Sequence, residues 1–284
     1  MTTAVAPPRA GRRRRALPGC GLSLGITTAY LGLIILLPIA ALLIKTASLS
    51  PAEFWAIISS DRAVATYTLT LRTAAIATLI NGVFGFLLAW ILVRYSFPGR
   101  RVLDAAVDVP FALPTAVAGI ALTALYARNG WLGAELVPLG FKVAYAEPGI
   151  VLAMAFTSLP FVVRTIQPVL EDLDDDLEEA AFCLGASGPA TFRRVIMPAL
   201  MPAFIAGCAL AFARSLGEFG AIVFIAGNRP FQTEITALLA FIRIGEFDYA
   251  GAAAIATVIL VTGFVMLLVT NLIQARLLNW VKLS

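Results

Sequence analysis

The chain has 284 residues, of which 60% are hydrophobic and only 13% are charged, and its formal net charge is +4. Soluble globular domains carry about 25% charged residues, so this composition excludes an ordinary soluble protein and indicates a membrane protein. The chain has no histidine, so it lacks the usual general base near neutral pH and the commonest metal ligand.

The first segment, residues 1–20, is basic and rich in Pro, Gly and Arg. It has no apolar periodicity and predicts a flexible arm. The arginine run 12–15 could contact nucleic acid, but a cytoplasmic topology signal explains it more simply, and we expect no nucleic-acid partner. The apolar run 22–44 is longer than the roughly 7 to 15 residues of a signal peptide core. We therefore expect an uncleaved membrane anchor.

Six apolar segments are long enough to cross a bilayer, which takes about 20 helical residues. They must be helices, because lipid offers no partner to an unpaired backbone group. A closed barrel is excluded, since the segments lack its alternation of apolar and polar residues. The sequence predicts an all-α integral membrane domain over 21–284, with its core at about 62–275. The predicted spans are 22–44, 67–93, 105–126, 149–168, 199–225 and 251–275.

The distribution of Lys and Arg predicts the orientation. If the N-terminus is cytoplasmic, twelve of these residues fall on the inside and six on the outside. Cytoplasmic loops carry the excess of positive charge, so both termini and the loop between the fourth and fifth spans should be cytoplasmic.

That loop, residues 171–198, is polar and patterned for helix. Leu177, Ala180, Ala181 and Leu184 recur at helical spacing. Acidic residues precede and fill the first turn, where they favour the helix dipole. Gly185 can adopt the left-handed conformation that ends a helix.

A second short helix should follow in the same loop. Ser187 can cap it, and Pro189 suits its first turn. Pro198 is expected to close this piece before the fifth span. The pair of helices either seats in a groove on a partner or packs on the inner surface of its own bundle, and shape alone does not choose between them.

The stretch "EAAFCLGASGPATFRRVIMP" resembles the EAA loop of ABC-importer permeases. In that family Glu-Ala-Ala is followed after three residues by Gly, and after nine more by Ile-x-Leu-Pro. Val195 and Met197 are conservative departures from this pattern. The resemblance implies the type I importer permease fold, with a coupling helix that docks into a cytoplasmic ATPase. The matching residues are Glu179, Ala180, Ala181, Gly185 and Pro198.

Three further stretches look like the T-type subunit of sulfate/thiosulfate permeases. They are "DVPFALPTAVAGIAL", "SLGEFGAIVFIAGN" and "RIGEFDYAGAAAIA", and the resemblance covers roughly residues 20 to 280. Related elements occur in molybdate, iron(III) and thiamine permeases, which stay as alternatives.

The resemblance also implies partners. They are two copies of a cytoplasmic ABC ATPase, a homologous W-type permease, an extracytoplasmic sulfate-binding protein, and membrane lipid in the bacterial cytoplasmic membrane. The chain has no G-x-x-x-x-G-K-[ST] phosphate loop. We therefore expect no cofactor in this chain, and ATP and magnesium would bind the partner ATPase.

Three charges lie at membrane depth: Arg164, Arg214 and Glu218. Intramembrane charges usually face a cavity or each other. Arg214 and Glu218 are four residues apart on one helical face and can simply pair. Alternatively, Arg164, Arg214 and Ser215 ease the passage of an anion while Glu218 limits how tightly it is held.

An integral membrane enzyme and a passive channel are alternatives from other classes. The three cysteines are widely spaced, without a CxxC pair, so neither a zinc site nor a disulfide framework is indicated. Asp104 and Asp108 could form a catalytic carboxylate pair, but a topology or capping role beside Arg100 and Arg101 fits better. We expect no catalytic residue and no metal site, and a channel has no need of a docking loop.

Overall fold

The computed structural model describes residues 20–281, with side chains described from 21 to 276 apart from Asp175. The regular secondary structure of the described part is helical, without strands. The helices are α1 (Gly21–Ala47), α2 (Pro51–Ile58), α3 (Asp61–Arg94), α4 (Arg100–Val107), α5 (Val109–Ala112), α6 (Thr115–Tyr126), α7 (Gly133–Leu136), α8 (Glu147–Glu171), α9 (Asp175–Cys183), α10 (Gly188–Leu216), α11 (Ile222–Ile225), α12 (Thr236–Gly245) and α13 (Tyr249–Val281).

Five of these helices, α1, α3, α8, α10 and α13, are long and apolar enough to cross a bilayer. Their outward faces expose many large apolar side chains, as lipid contact requires. The predicted all-α membrane fold is thus confirmed.

Helices α3, α8 and α10 pack on one another and form the core. Small residues let the backbones approach closely, as is typical of membrane helix interfaces. A Cβ added at Gly207 on α10 would lie 3.1 Å from the Cα of Val162 on α8, and one at Gly85 on α3 would lie 2.9 Å from Cγ1 of the same valine. Val162 is therefore the point where the three helices meet.

The predicted third span, 105–126, is wrong as one helix. It is divided among α4, α5 and α6, with breaks at Asp108 and at Leu113-Pro114. Pro110 and Pro114 lack backbone N–H groups, and the residue before a proline avoids helical geometry. Leu113 is accordingly extended, and Pro114 stands at the N-cap of α6.

The predicted fifth span also ends early, at Leu216 rather than 225. The chain returns through the short helices α11 and α12. Helix α12 was not predicted, because its ten residues are too few to span a bilayer. Thr70 on α3 accepts from the backbone N–H of Thr236 at 3.0 Å, which ties the start of α12 to the core.

The first predicted span is confirmed as the long helix α1, which packs against α13. The hydroxyls of Thr46 and Thr257 join the two helices at 2.9 Å. The predicted flexible arm lies outside the described residues, except for Cys20, which is helical and directly precedes Gly21.

Candidate functional site: the polar loop and the polar groups of the bundle

The polar loop forms the predicted helix α9. Asp174 stands at its N-cap and accepts from the backbone N–H of Asp176 at 3.4 Å. The helix spans nine residues, too few to be stable alone in water. Its stability must therefore come from its ends and from contacts outside itself.

The C-terminal end of α9 is closed by Gly185, as predicted, with φ of +81°. The N–H of Gly185 donates to Phe182 O at 2.9 Å, and the N–H of Ala186 donates to Ala181 O at 3.0 Å. These two bonds form a Schellman cap, which needs a left-handed residue at this position. No atom lies within 4 Å of an added Cβ, so the glycine is required for its backbone conformation alone.

The predicted second short helix is wrong in its extent. Ser187 stands at the N-cap and Pro189 lies in the first turn, but the serine side chain makes no capping hydrogen bond. Pro198 does not end the helix, which runs on to Leu216. A wide π-helical turn at Phe192–Ile196 ends two residues before the proline, and the helix continues past it.

Helix α9 presents its apolar side chains to the outside of the chain. Phe182 is 77% exposed and Leu184 is 89% exposed. Leu177, Glu179 and Ala180 are also exposed. The helix is therefore not packed face-down on its own bundle. This exposure favours the partner-groove interpretation over self-packing.

One ion pair fastens α9 to the bundle. Glu178 contacts Arg94, the last residue of α3. The Arg94 guanidinium also lies 5.4 Å from the ring centroid of Trp90, at cation–π distance. Trp90 meets Phe192 edge to face at 5.5 Å. The base of the loop is thus joined to the C-terminal end of α3 and the N-terminal part of α10.

Arg164 on α8 is held by two carboxylates. Its guanidinium donates to both oxygens of Asp108, at 2.9 and 2.6 Å, and to Asp104 Oδ1 at 2.6 Å. It also donates to Gln167 Oε1 at 2.7 Å. The predicted capping role of the two side chains is wrong. Asp108 stands at the N-cap of α5, but its carboxylate makes no capping hydrogen bond. Both carboxylates instead clamp α4 and α5 onto α8 through Arg164.

Arg214 and Glu218 form the pair that their spacing indicated, at 2.7 Å. Glu218 is buried, and its other carboxylate oxygen accepts from the backbone N–H of Ala221 at 2.9 Å. The glutamate therefore neutralises Arg214 and also caps the turn that follows α10.

Ser215 is fully buried in a polar contact between the three core helices. Its hydroxyl donates to Ala211 O at 2.8 Å, and its Oγ lies 3.2 Å from Ser158 Oγ. Asn81 on α3 donates to Ser158 Oγ at 2.8 Å. Sequence reasoning missed Asn81, although an amide within a long apolar run was a signal for it.

The predicted pathway residues do not form one cluster. Ser215 lies beside Ser158 at the middle of α8, whereas Arg164 is six residues further along, about 9 Å by helical rise. In the described part of the chain, no group of three His, Cys, Asp or Glu side chains could hold a metal ion. Cys183 and Cys208 are free thiols.

Comparison with known proteins shows where this arrangement belongs. Residues 81–279 match the family described as binding-protein-dependent transport system inner membrane component. The chain is 53% identical to the sulfate transport system permease protein CysT of Salmonella typhimurium, and equally to that of Escherichia coli, over 93% of this chain and 95% of each relative.

A solved bacterial alginate ABC transporter, in complex with an alginate-bound periplasmic protein, has the same fold. Its TM-score is 0.74 at 16% identity, over 90% of this chain and 93% of the solved one. The chain belongs to the family of binding-protein-dependent transport system inner membrane components, within the group that contains the CysT permeases.

Proposed function

We propose that this chain is the T-type permease subunit of an ATP-driven sulfate/thiosulfate importer, which moves the anion into the cytoplasm by alternating access. The observation that carries the proposal is the exposed helix α9, rooted on the bundle by Glu178 and Arg94. The identity to sulfate permeases over nearly the whole chain supports the substrate class.

Helix α9 is the surface for a separate ATPase. Phe182 and Leu184 need an apolar cover, and Glu179 and Ala180 lie exposed between the acidic N-terminus and the glycine cap. A short amphipathic helix of this kind fits a groove on a partner. Two ATPase copies would serve the two permease chains, and ATP and magnesium would bind there.

Three other features of the assembly follow from the family. A second, W-type permease would complete the pathway, and an extracytoplasmic sulfate-binding protein would deliver the anion. Both termini would be cytoplasmic in the inner membrane, since the positive charge clusters on the side of α9.

Within the bundle, Arg214 is the better candidate for contact with the anion. Its side chain is 30% exposed and meets one carboxylate, so an approaching anion could compete for it. Arg164 is equally exposed but is held by two carboxylates, whose summed charge outweighs its own. Ser215 would act by supporting the adjacent backbone.

Uptake of labelled sulfate, in cells with and without this chain, tests the function. We expect ATP-dependent uptake only in cells with the chain, and competition by thiosulfate. Loss of molybdate uptake while sulfate uptake persists would contradict sulfate as the substrate and favour the molybdate alternative. Sulfate flux through this chain without any ATPase would indicate a channel.

A further inference from the structure

A cleft of about 530 Å³ opens at the end of the bundle opposite α9. It lies between the loop that follows α6 and the loop that follows α11. Its lining includes Tyr126, Arg128, Lys142, Tyr145 and Arg229.

The cleft concentrates positive charge. Three of its lining residues are cations and none is acidic. Among the residues that the structure describes, Arg128 and Lys142 make no ion pair and no side-chain hydrogen bond. Arg229 donates to the carbonyl oxygen of Tyr145 at 3.1 Å, which leaves its charge uncompensated.

Other arginines toward the same end of the bundle are neutralised. Arg62 binds Glu234 at 2.6 Å, and Arg243 binds Asp248 at 2.9 Å. Lys45 is unpaired but does not line the cleft. In the cleft, by contrast, three uncompensated cations face one cavity.

The cleft walls are held in place by backbone contacts. Tyr145 has φ of +61°, and its N–H donates to Ile225 O at 2.7 Å. Gly227 has φ of +74°, and a Cβ added there would lie 3.1 Å from that of Tyr145. Backbone conformations of this kind persist only where the surroundings hold them, and they concentrate at functional sites.

We propose that this cleft binds a doubly charged tetrahedral oxyanion at the mouth of the transport pathway. The assignment rests on the proposed function for the side of the membrane and for the substrate. Uncompensated cations around a cavity raise the local anion concentration. Their exposure to water keeps binding weak, so the anion is released onward.

The cations of the cleft differ from those inside the bundle, which are paired with carboxylates. The Arg214 and Arg164 guanidinium groups are both matched by carboxylates. Arg128, Lys142 and Arg229 are therefore cations that an anion in this cavity could contact without displacing a carboxylate.

Acylation of lysine amines in the assembled transporter tests the proposal, with each lysine followed by mass spectrometry. The transporter is held in zwitterionic nanodiscs, and sodium sulfate is compared with sodium chloride at equal ionic strength. Bound sulfate favours the protonated amine, so we expect Lys142 acylation to slow at least about threefold. Lys45 serves as the control within the same molecule and should react equally in both salts.

Variants then assign the effect to the cleft. Arg128→Gln should reduce the protection of Lys142, whereas Lys45→Gln, with the same change of charge, should leave it intact. Equal rates at both lysines in sulfate and chloride would overturn the proposal. The comparison is repeated in nanodiscs with anionic lipid and with the binding protein added. Protection seen only with anionic lipid would assign the cleft to phosphate headgroups instead. Protection that required the binding protein without sulfate would make it a docking surface, and either result would overturn the anion site.

Failure of the cleft and failure of the transport function are distinguishable. Normal ATP-driven sulfate uptake without protection of Lys142 by sulfate would overturn the anion site alone. Protection of Lys142 in a transporter that does not move sulfate would support the anion site and overturn the proposed function.

Discussion

The core of the bundle and helix α9 differ in whether their side chains find partners within this chain. In the core, Asn81, Ser158 and Ser215 satisfy one another, and glycines bring α3, α8 and α10 together. In α9, the apolar side chains of Phe182 and Leu184 are left uncovered. The contacts of the core are made within this chain, whereas α9 leaves apolar side chains that the proposed ATPase would cover.

This difference predicts that substitutions in the two regions have different effects. Changes in the core should lower the stability of the membrane domain, and changes in α9 should lower the affinity for the ATPase without unfolding the bundle. A single substitution that lowers both the stability of the bundle and the affinity for the ATPase would contradict this separation.

The largest effect is expected at Gly207. Gly207→Val forces a branched side chain against the Val162 backbone, 3.1 Å from the position of a Cβ. Overpacking of this kind should destabilise the domain by about 3 kcal/mol, measured by unfolding in mixed detergent micelles. Gly263→Val is the matched control on α13, where nothing lies within 4 Å, and it should be nearly neutral. Equal losses in both variants would contradict close packing at Val162.

The next effect is expected at Arg164. Arg164→Leu leaves Asp104 and Asp108 facing one another without a cation. The loss should be about 2 kcal/mol, less than for a fully buried pair because the carboxylates are partly exposed. Arg72→Leu, which removes a more exposed pair with Glu147, should cost less than about 1 kcal/mol by the same measurement. A larger loss at Arg72 would show that the clamp is not structural.

A smaller effect, confined to α9, is expected at Gly185. Gly185→Ala places a Cβ on a residue with φ of +81°. The strain should be about 1 kcal/mol, which corresponds to about fivefold weaker ATPase binding with bundle stability unchanged. Gly188→Ala, also in open space but without a positive φ, is the control and should bind normally. Equal binding by both variants would show that the Schellman cap does not position α9.

The sequence predicted features that depend on local spacing. Examples are the Gly185 cap and the pairing of Arg214 with Glu218, four residues away on one face. It did not predict that Asp104 and Asp108 reach Arg164, about sixty residues later, because their partner is set by how the broken third span folds back onto α8. Helix α12 was missed for a related reason, since hydropathy identifies spans by length.

The most direct test of α9 as a cytoplasmic docking helix uses its own thiol. Cys183 is exposed on α9, whereas Cys208 is only partly exposed in the bundle. In a Cys20→Ser background, a membrane-impermeant maleimide should label Cys183 in inside-out vesicles stripped of ATPase. Rebinding of the ATPase should slow that labelling at least about tenfold, because the centre of such an interface excludes water. Unchanged labelling with the ATPase bound, or labelling of Cys183 from outside intact cells, would contradict the account.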